Sequence, residues 1–257
     1  MKSLYPFLLL VFVVVSCIPN KQVVYFPDPE FNTEVSTEIL NPRQTYRLQP
    51  RDVLSVRILT LDSESEAYFN IQPNTGFMNL NPAGFYLNGY SINEEGNITL
   101  PEVGPVKVVD LTLNEAQTLI ANEISEYLST ATVIVKLTSF KITVLGEVNS
   151  PGYYYVYNDQ ANLLEGLGLA SDLTEFGNRE NITLIRQTDN GSEVVLINLK
   201  DPDILSSKYY FLQPNDVIYV QPLKAKNTRS NLSTFTILSV LFGAISSTIL
   251  LLRYLND

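Results

Sequence analysis

The chain contains no histidine and no tryptophan, and only one cysteine among its 257 residues. Histidine is the commonest general base near neutral pH and the commonest metal ligand. Its absence removes Ser-His-Asp and Cys-His catalysis and most zinc chemistry. A single cysteine rules out an internal disulfide. Basic residues are scarce as well: 17 Lys and Arg against 27 Asp and Glu give a formal charge of −10. Phosphate binding needs a basic face, so nucleic acid is not an expected partner. No cofactor, no metal and no catalytic residue is expected. What the chain does have is apolar substance: 45% hydrophobic residues, enough over this length to build one or two real cores.

Both ends carry membrane signals. Residues 1 to 17 read MKSLYPFLLLVFVVVSC, one lysine followed by an apolar run from Phe7 to Val15 and a small residue before Cys17. Such a run is too short to span a bilayer and has the size of a secretory core segment, so 1–16 is expected to be an export signal. The sequence Val14-Val15-Ser16-Cys17 resembles the bacterial lipobox, which implies that Cys17 becomes a lipidated mature N-terminus. Residue 18 is Ile rather than the Asp that marks inner-membrane retention in that pattern, so outer-membrane lipid is the implied anchor. Residues 17–45 follow as a Pro-rich, mostly polar tether, or alternatively an arm packed on the first domain.

At the other end, Leu232 to Leu252 runs uncharged for 21 residues, about 31 Å as a helix, which suffices to cross a hydrocarbon core. Lys224, Lys226 and Arg229 precede it and only Arg253 follows. An inner-membrane span with a cytoplasmic C-terminus would therefore break the positive-inside rule. Helical spacing gathers Thr236, Ser239, Gly243, Ser246 and Ser247 on one side. Phe235, Leu238, Leu241, Phe242, Ile245, Ile249 and Leu252 fall opposite. The small stripe is read as a helix-packing or lumen-facing surface, because hydroxyls facing hydrocarbon need partners.

Between these ends one string occurs twice: YRLQPRDVLSV at 46–56 and YFLQPNDVIYV at 210–220. Each reads as a Gln-Pro turn, an Asp that bonds its own backbone, and then a strand with apolar residues at alternate positions. The two carboxylates, Asp52 and Asp216, are thus expected to be structural; a catalytic role is the sharper alternative. After the first copy come short strands around Gly89–Leu100 and Val106–Val109. Thr112 and Glu115 then form a capping box before Leu113, Ala116, Leu119, Ile120 and Ile124 at helical spacing. In the run Tyr153-Tyr154-Tyr155, alternation puts Tyr153 and Tyr155 on one face and Tyr154 on the other, as core packing or as a platform for sugar rings.

These motifs, in this order, resemble the bacterial polysaccharide biosynthesis/export family of Wza-type outer-membrane lipoproteins. The Tyr-x-Leu-x-Pro-x-Asp-Val start, the Gly-Asn-Ile-Thr-Leu-Pro-Glu-Val-Gly segment and the Thr-x-x-Glu-Ala helix are similar to its export domain. VLGEVNSPGYYYV at 144–156 looks like the opening of its soluble-ligand-binding β-grasp (SLBB) domain. One departure stands out: Leu169-Ala170-Ser171 replaces the family's Ala-Gly-Gly after the β-grasp helix.

The implied fold class is α+β: an export domain at 46–142, one β-grasp domain at 143–222, a linker at 223–231 and a transmembrane helix at 232–252. The resemblance implies a homo-oligomeric ring, a short one because only one β-grasp domain is present. It would pass a capsular polysaccharide or exopolysaccharide, with an inner-membrane polysaccharide chain-length regulator as partner. Two rivals belong to other classes. A monomeric periplasmic glycan-binding lipoprotein would leave the C-terminal segment idle, and a carboxylate-based glycan hydrolase would need a paired acid and base that no motif supplies.

Overall fold

A computed structural model of the chain describes residues 24–27, 36, 38–41, 43, 45–62, 66, 68–71, 84, 87–188, 191–224 and 232–256. The signal segment, Cys17 with its lipobox and most of the 223–231 linker lie outside the described residues.

Two hydrophobic cores divide these elements into two lobes. In the first lobe β1 (Val53–Thr60) runs between β2 (Tyr90–Ser91) and β5 (Ala131–Leu137), antiparallel to both. A hairpin of β3 (Asn97–Leu100) and β4 (Gly104–Lys107) precedes α1 (Leu113–Ser125). Helix α1 begins where the capping box places it: Thr112 Oγ1 accepts from the Glu115 amide at 3.2 Å, and Glu115 Oε2 accepts from the Thr112 amide at 2.7 Å. Its buried residues are Ala116, Ile120 and Ile124, one stripe at helical spacing. They close over the inward side chains Leu54, Val56 and Ile58 of β1 and Val133 and Val135 of β5.

The second lobe is a five-stranded sheet of order β10-β9-β12-β6-β7 with one helix on it. Its strands are β6 (Lys141–Gly146), β7 (Gly152–Tyr155), β9 (Gly177–Thr188), β10 (Gly191–Ile197) and β12 (Val217–Pro222). The central pair β12 and β6 is parallel and every other pair antiparallel. Short β8 (Ala161–Asn162) leads into α2 (Leu163–Leu169) and pairs with β11 (Phe211–Leu212). A second capping box, Asn162 with Glu165, starts α2. Gly166 lets this helix lie close to the sheet, since a Cβ there would stand 2.7 Å from Leu212 Cδ1 and 3.0 Å from Ile142 Cδ1. Gly146, at φ +88°, ends β6 against the Val220 carbonyl, where a Cβ would fall 2.1 Å from the oxygen.

Alternation along the strands sends Ile142, Val144, Ile182, Leu184, Ile218 and Val220 into the core beneath α2. Tyr154 packs toward that core while Tyr153 is exposed on the opposite face. That outer face also carries Leu145, Tyr219, Val194 and Leu196, all exposed, and nothing among the described residues covers it.

Candidate functional site

Both copies of the repeated string fold the same way. In the first, the Asp52 amide donates to the Gln49 carbonyl at 3.1 Å and Asp52 Oδ2 accepts from the Gln49 amide at 3.0 Å. In the second, the Asp216 amide reaches the Gln213 carbonyl at 3.1 Å and Asp216 Oδ2 accepts from the Gln213 amide at 2.8 Å. Pro50 and Pro214 hold the second turn position. Arg51 and Asn215 hold the third with φ of 76° and 67°, the signature of a type II turn. Each turn is then stitched to a neighbouring strand. Arg51 and Asp52 bond both backbone groups of Ile92, and Asn215 and Asp216 bond Lys141 and Thr143.

The environments of the two carboxylates differ. Asp52 is 3% exposed and among the described residues is met by neutral donors, the Tyr46 hydroxyl at 2.8 Å and the Ser139 hydroxyl at 3.2 Å besides its own turn amide. Burial pushes its carboxyl up from the ordinary value, and the Gln49 amide and the Tyr46 and Ser139 hydroxyls oppose that rise. Burial, and then the negative charge of Asp52, push the Tyr46 hydroxyl up as well, so it stays a donor. Asp216 is fully buried and faces Arg186, itself 6% exposed, through Nε–Oδ1 at 3.0 Å and Nη2–Oδ2 at 2.7 Å. Burial raises the Asp216 carboxyl and the guanidinium pulls it back. Both carboxylates are buried in the turns they cap, Asp52 at 3% and Asp216 at 0% exposure. Arg186 is the residue that reading the sequence missed; its signal was a charge in phase with the buried Ile182 and Leu184 along β9.

The two turns meet where the lobes join. Gln49 and Gln213 line one small cavity together with Arg186, Glu193 and Tyr209. A larger cleft of about 720 Å³ opens beside it, walled by Tyr46 and Asn114 of the first lobe and by Asn158, Gln160, Tyr210 and Phe211 of the second. Across the junction Ser139 donates to Asp52 and accepts from the Val53 amide at 3.1 Å, and Lys136 Nζ lies 3.6 Å from Asp159 Oδ2.

In the N-terminal segment, the described residues Tyr25 and Phe26 pack against the second core. The Tyr25 hydroxyl donates to Asp172 Oδ1, and its ring covers Arg179, whose Cζ lies 5.5 Å from the centroid. Arg179 is 3% exposed and spends Nη1 on the Thr174 and Gly177 carbonyls, so the Tyr25 ring completes its enclosure. Asp172 and its neighbour Ser171 both sit at positive φ, 67° and 59°. The loop is held by Asn149 and Ser150, whose amides donate to the Asp172 and Ala170 carbonyls at 3.0 and 2.9 Å.

The last element, α3 (Leu232–Asn256), contains a stretch, Leu238–Leu255, long and apolar enough to cross a membrane and not buried against the described residues. The stripe residues behave differently from the premise drawn from sequence. Ser239 bonds the Thr236 carbonyl, Ser246 that of Phe242 and Ser247 that of Ala244, at 2.8 to 2.9 Å. A single helix thus satisfies these hydroxyls on its own backbone. What distinguishes the stripe is size: at Gly243 nothing lies within 4 Å of where a Cβ would stand, an open notch on the helix surface.

Comparison with known families agrees with this two-lobed plan. Residues 40–138 match the family described as polysaccharide biosynthesis/export protein, and residues 140–220 match the SLBB domain. The chain belongs to the polysaccharide biosynthesis/export protein family, with an SLBB domain as its second lobe and a role in polysaccharide export.

Proposed function

We propose that this export protein is an outer-membrane lipoprotein whose copies assemble into a ring and give the polysaccharide a passage to the cell surface, with no bond made or broken. Cys17 carries the lipid after removal of residues 1–16, the folded lobes lie in the periplasm, and α3 spans the outer membrane. An inner-membrane chain-length regulator delivers the polymer.

The observation that carries this reading is the convergence of both chain ends on one end of the second lobe. Tyr25 is fixed to Asp172 and stacked on Arg179, while the Leu223 amide bonds the Phe176 carbonyl at 2.7 Å and Pro222 pairs with Gly177. Eight residues separate Cys17 from Tyr25, and eight separate Lys224 from Leu232. Each segment reaches at most about 28 Å when extended. A lipid at Cys17 and a span at α3 can therefore enter the same membrane from the same end of the protein. The uncovered outer face of the five-stranded sheet supports assembly, because a chain of charge −10 must self-associate through an uncharged surface.

Deleting residues 232–257 tests the passage. The truncated protein is expected to remain anchored through Cys17 and to lose surface polysaccharide. Full surface polysaccharide with the truncated protein would reject α3 as part of the passage and favour a monomeric glycan-binding lipoprotein.

A further inference from the structure

The cleft between the lobes is lined by residues of both. Its volume, about 720 Å³, falls within the range of about 300–1,000 Å³ of small-molecule sites, and junctions between folded units are where such sites concentrate. Six side chains define its chemistry: Arg43, Asn158, Gln160, Tyr210, Phe211 and Gln213. Tyr210 and Phe211 meet edge to face with centroids 5.3 Å apart, and the Arg43 guanidinium stands 6.0 Å from the Phe211 centroid. The carboxylates at the cleft are already engaged: Asp159 pairs with Lys136 at 3.6 Å, and Glu165 Oε2 accepts the Asn162 amide at 3.0 Å in the capping box of α2.

We infer that this cleft is a binding site for a short saccharide segment. Sugars offer two features together, apolar C–H faces and pairs of adjacent hydroxyls. Aromatic rings fit the first, and planar amides and a guanidinium fork fit the second. Competing ligand classes fit less well. Among the described residues that line the cleft a polyphosphate would meet a single cation, Arg43, beside two carboxylates, and a purely apolar ligand would strip water from three amides without replacing its hydrogen bonds. The exposed Tyr153 on the sheet lies opposite Thr143 and edge-on to Tyr155 at 6.1 Å, outside the lining of this cleft. Because the first lobe supplies Tyr46 and the second the aromatic pair, a bound saccharide also bridges the two lobes.

The inference rests on the polysaccharide-handling role of the family and does not require the ring. Its test is calorimetric titration of the full chain in detergent. The probe is a set of oligosaccharides of a few residues, released by mild acid from the surface polysaccharide of the cells that make the protein. Saturable binding at one site per chain is expected, weakened tenfold or more by Arg43→Gln combined with Gln160→Ala and unchanged by Tyr153→Ala. Arg43 and Gln160 are exposed, so the double variant is expected to keep the native melting temperature. Absence of binding, unchanged affinity in the double variant, or loss confined to Tyr153→Ala would each overturn the assignment. Loss of export on deleting 232–257 bears on the passage alone, and the titration stands or falls independently of it.

Discussion

Asp216 and Arg186 form a two-point ion pair in the core of the second lobe, Nε–Oδ1 at 3.0 Å and Nη2–Oδ2 at 2.7 Å, while the equivalent Asp52 of the first lobe meets the Tyr46 and Ser139 hydroxyls and, among the described residues, no cation. The same turn is therefore held by different electrostatics. Removing one partner of a buried pair leaves an uncompensated charge, so Asp216→Asn is expected to cost about 3–5 kcal/mol. Asp52→Asn keeps an acceptor for the Gln49 amide and is expected to cost about 0.5–2 kcal/mol. Denaturant midpoints of the two variants check this, and Arg186→Leu added to Asp216→Asn is expected to recover part of the loss. Equal destabilisation by the two single substitutions would contradict it.

The pH dependence of Asp52 has a definite sign. Its carboxyl is raised by burial above the ordinary value of 3.8, so the folded state holds a proton that the unfolded state releases in the window above 3.8. The stability it contributes is present below that value and is lost as pH rises through the folded value. On acidification from pH 7 toward 4, the wild type is accordingly expected to gain stability relative to Asp52→Asn. Thermal melts of both proteins across that range measure the difference, and a constant difference would contradict the assignment.

Arg51 occupies a left-handed position, φ 76°, that the second copy gives to Asn215. Its ion pair with Glu94 is exposed on both sides and contributes little. Arg51→Asn is therefore expected to raise stability by about 0.5–1 kcal/mol, read from the same denaturation curves. A loss of stability would show that the Glu94 contact outweighs the backbone strain.

The outer sheet face and the helix stripe make separable predictions about assembly. Tyr219→Arg or Leu196→Arg puts charge on an exposed position of that face. Either is expected to reduce oligomer mass in detergent while leaving the melting temperature within a few degrees. Along α3, Gly243→Leu is expected to disrupt assembly, since it fills the notch, whereas Ile249→Leu on the apolar side changes little. Gly243→Leu with normal oligomers and normal export would remove the stripe from the interface.

Local features were legible in the sequence wherever the forces were local. The Gln-Pro-x-Asp turns, the Thr112–Glu115 box and the alternation of Tyr153 and Tyr154 each depend on contacts within a few residues, and each stands in the structure as read. Non-local pairings were not. The parallel contact of β12 with β6 brings Val217 to Thr143, and Arg186 finds Asp216 thirty residues away, so no short window contains both partners. Tyr25 was hidden for a different reason: the apolar run Val23-Val24-Tyr25-Phe26 is too short to show a period, and the buried Arg179 beneath its ring and Asp172 beside its hydroxyl explain its place. The serines of α3 bond carbonyls three or four residues earlier, a local contact that hydropathy patterning does not register.

The passage itself is tested most directly by imaging the full-length protein extracted from outer membranes in mild detergent. Electron microscopy is expected to show closed rings, with the C-terminal helices gathered at one end around a central opening. Uniform single-chain particles at concentrations where the lipid-modified protein is intact would contradict the passage and leave a glycan-binding lipoprotein in its place.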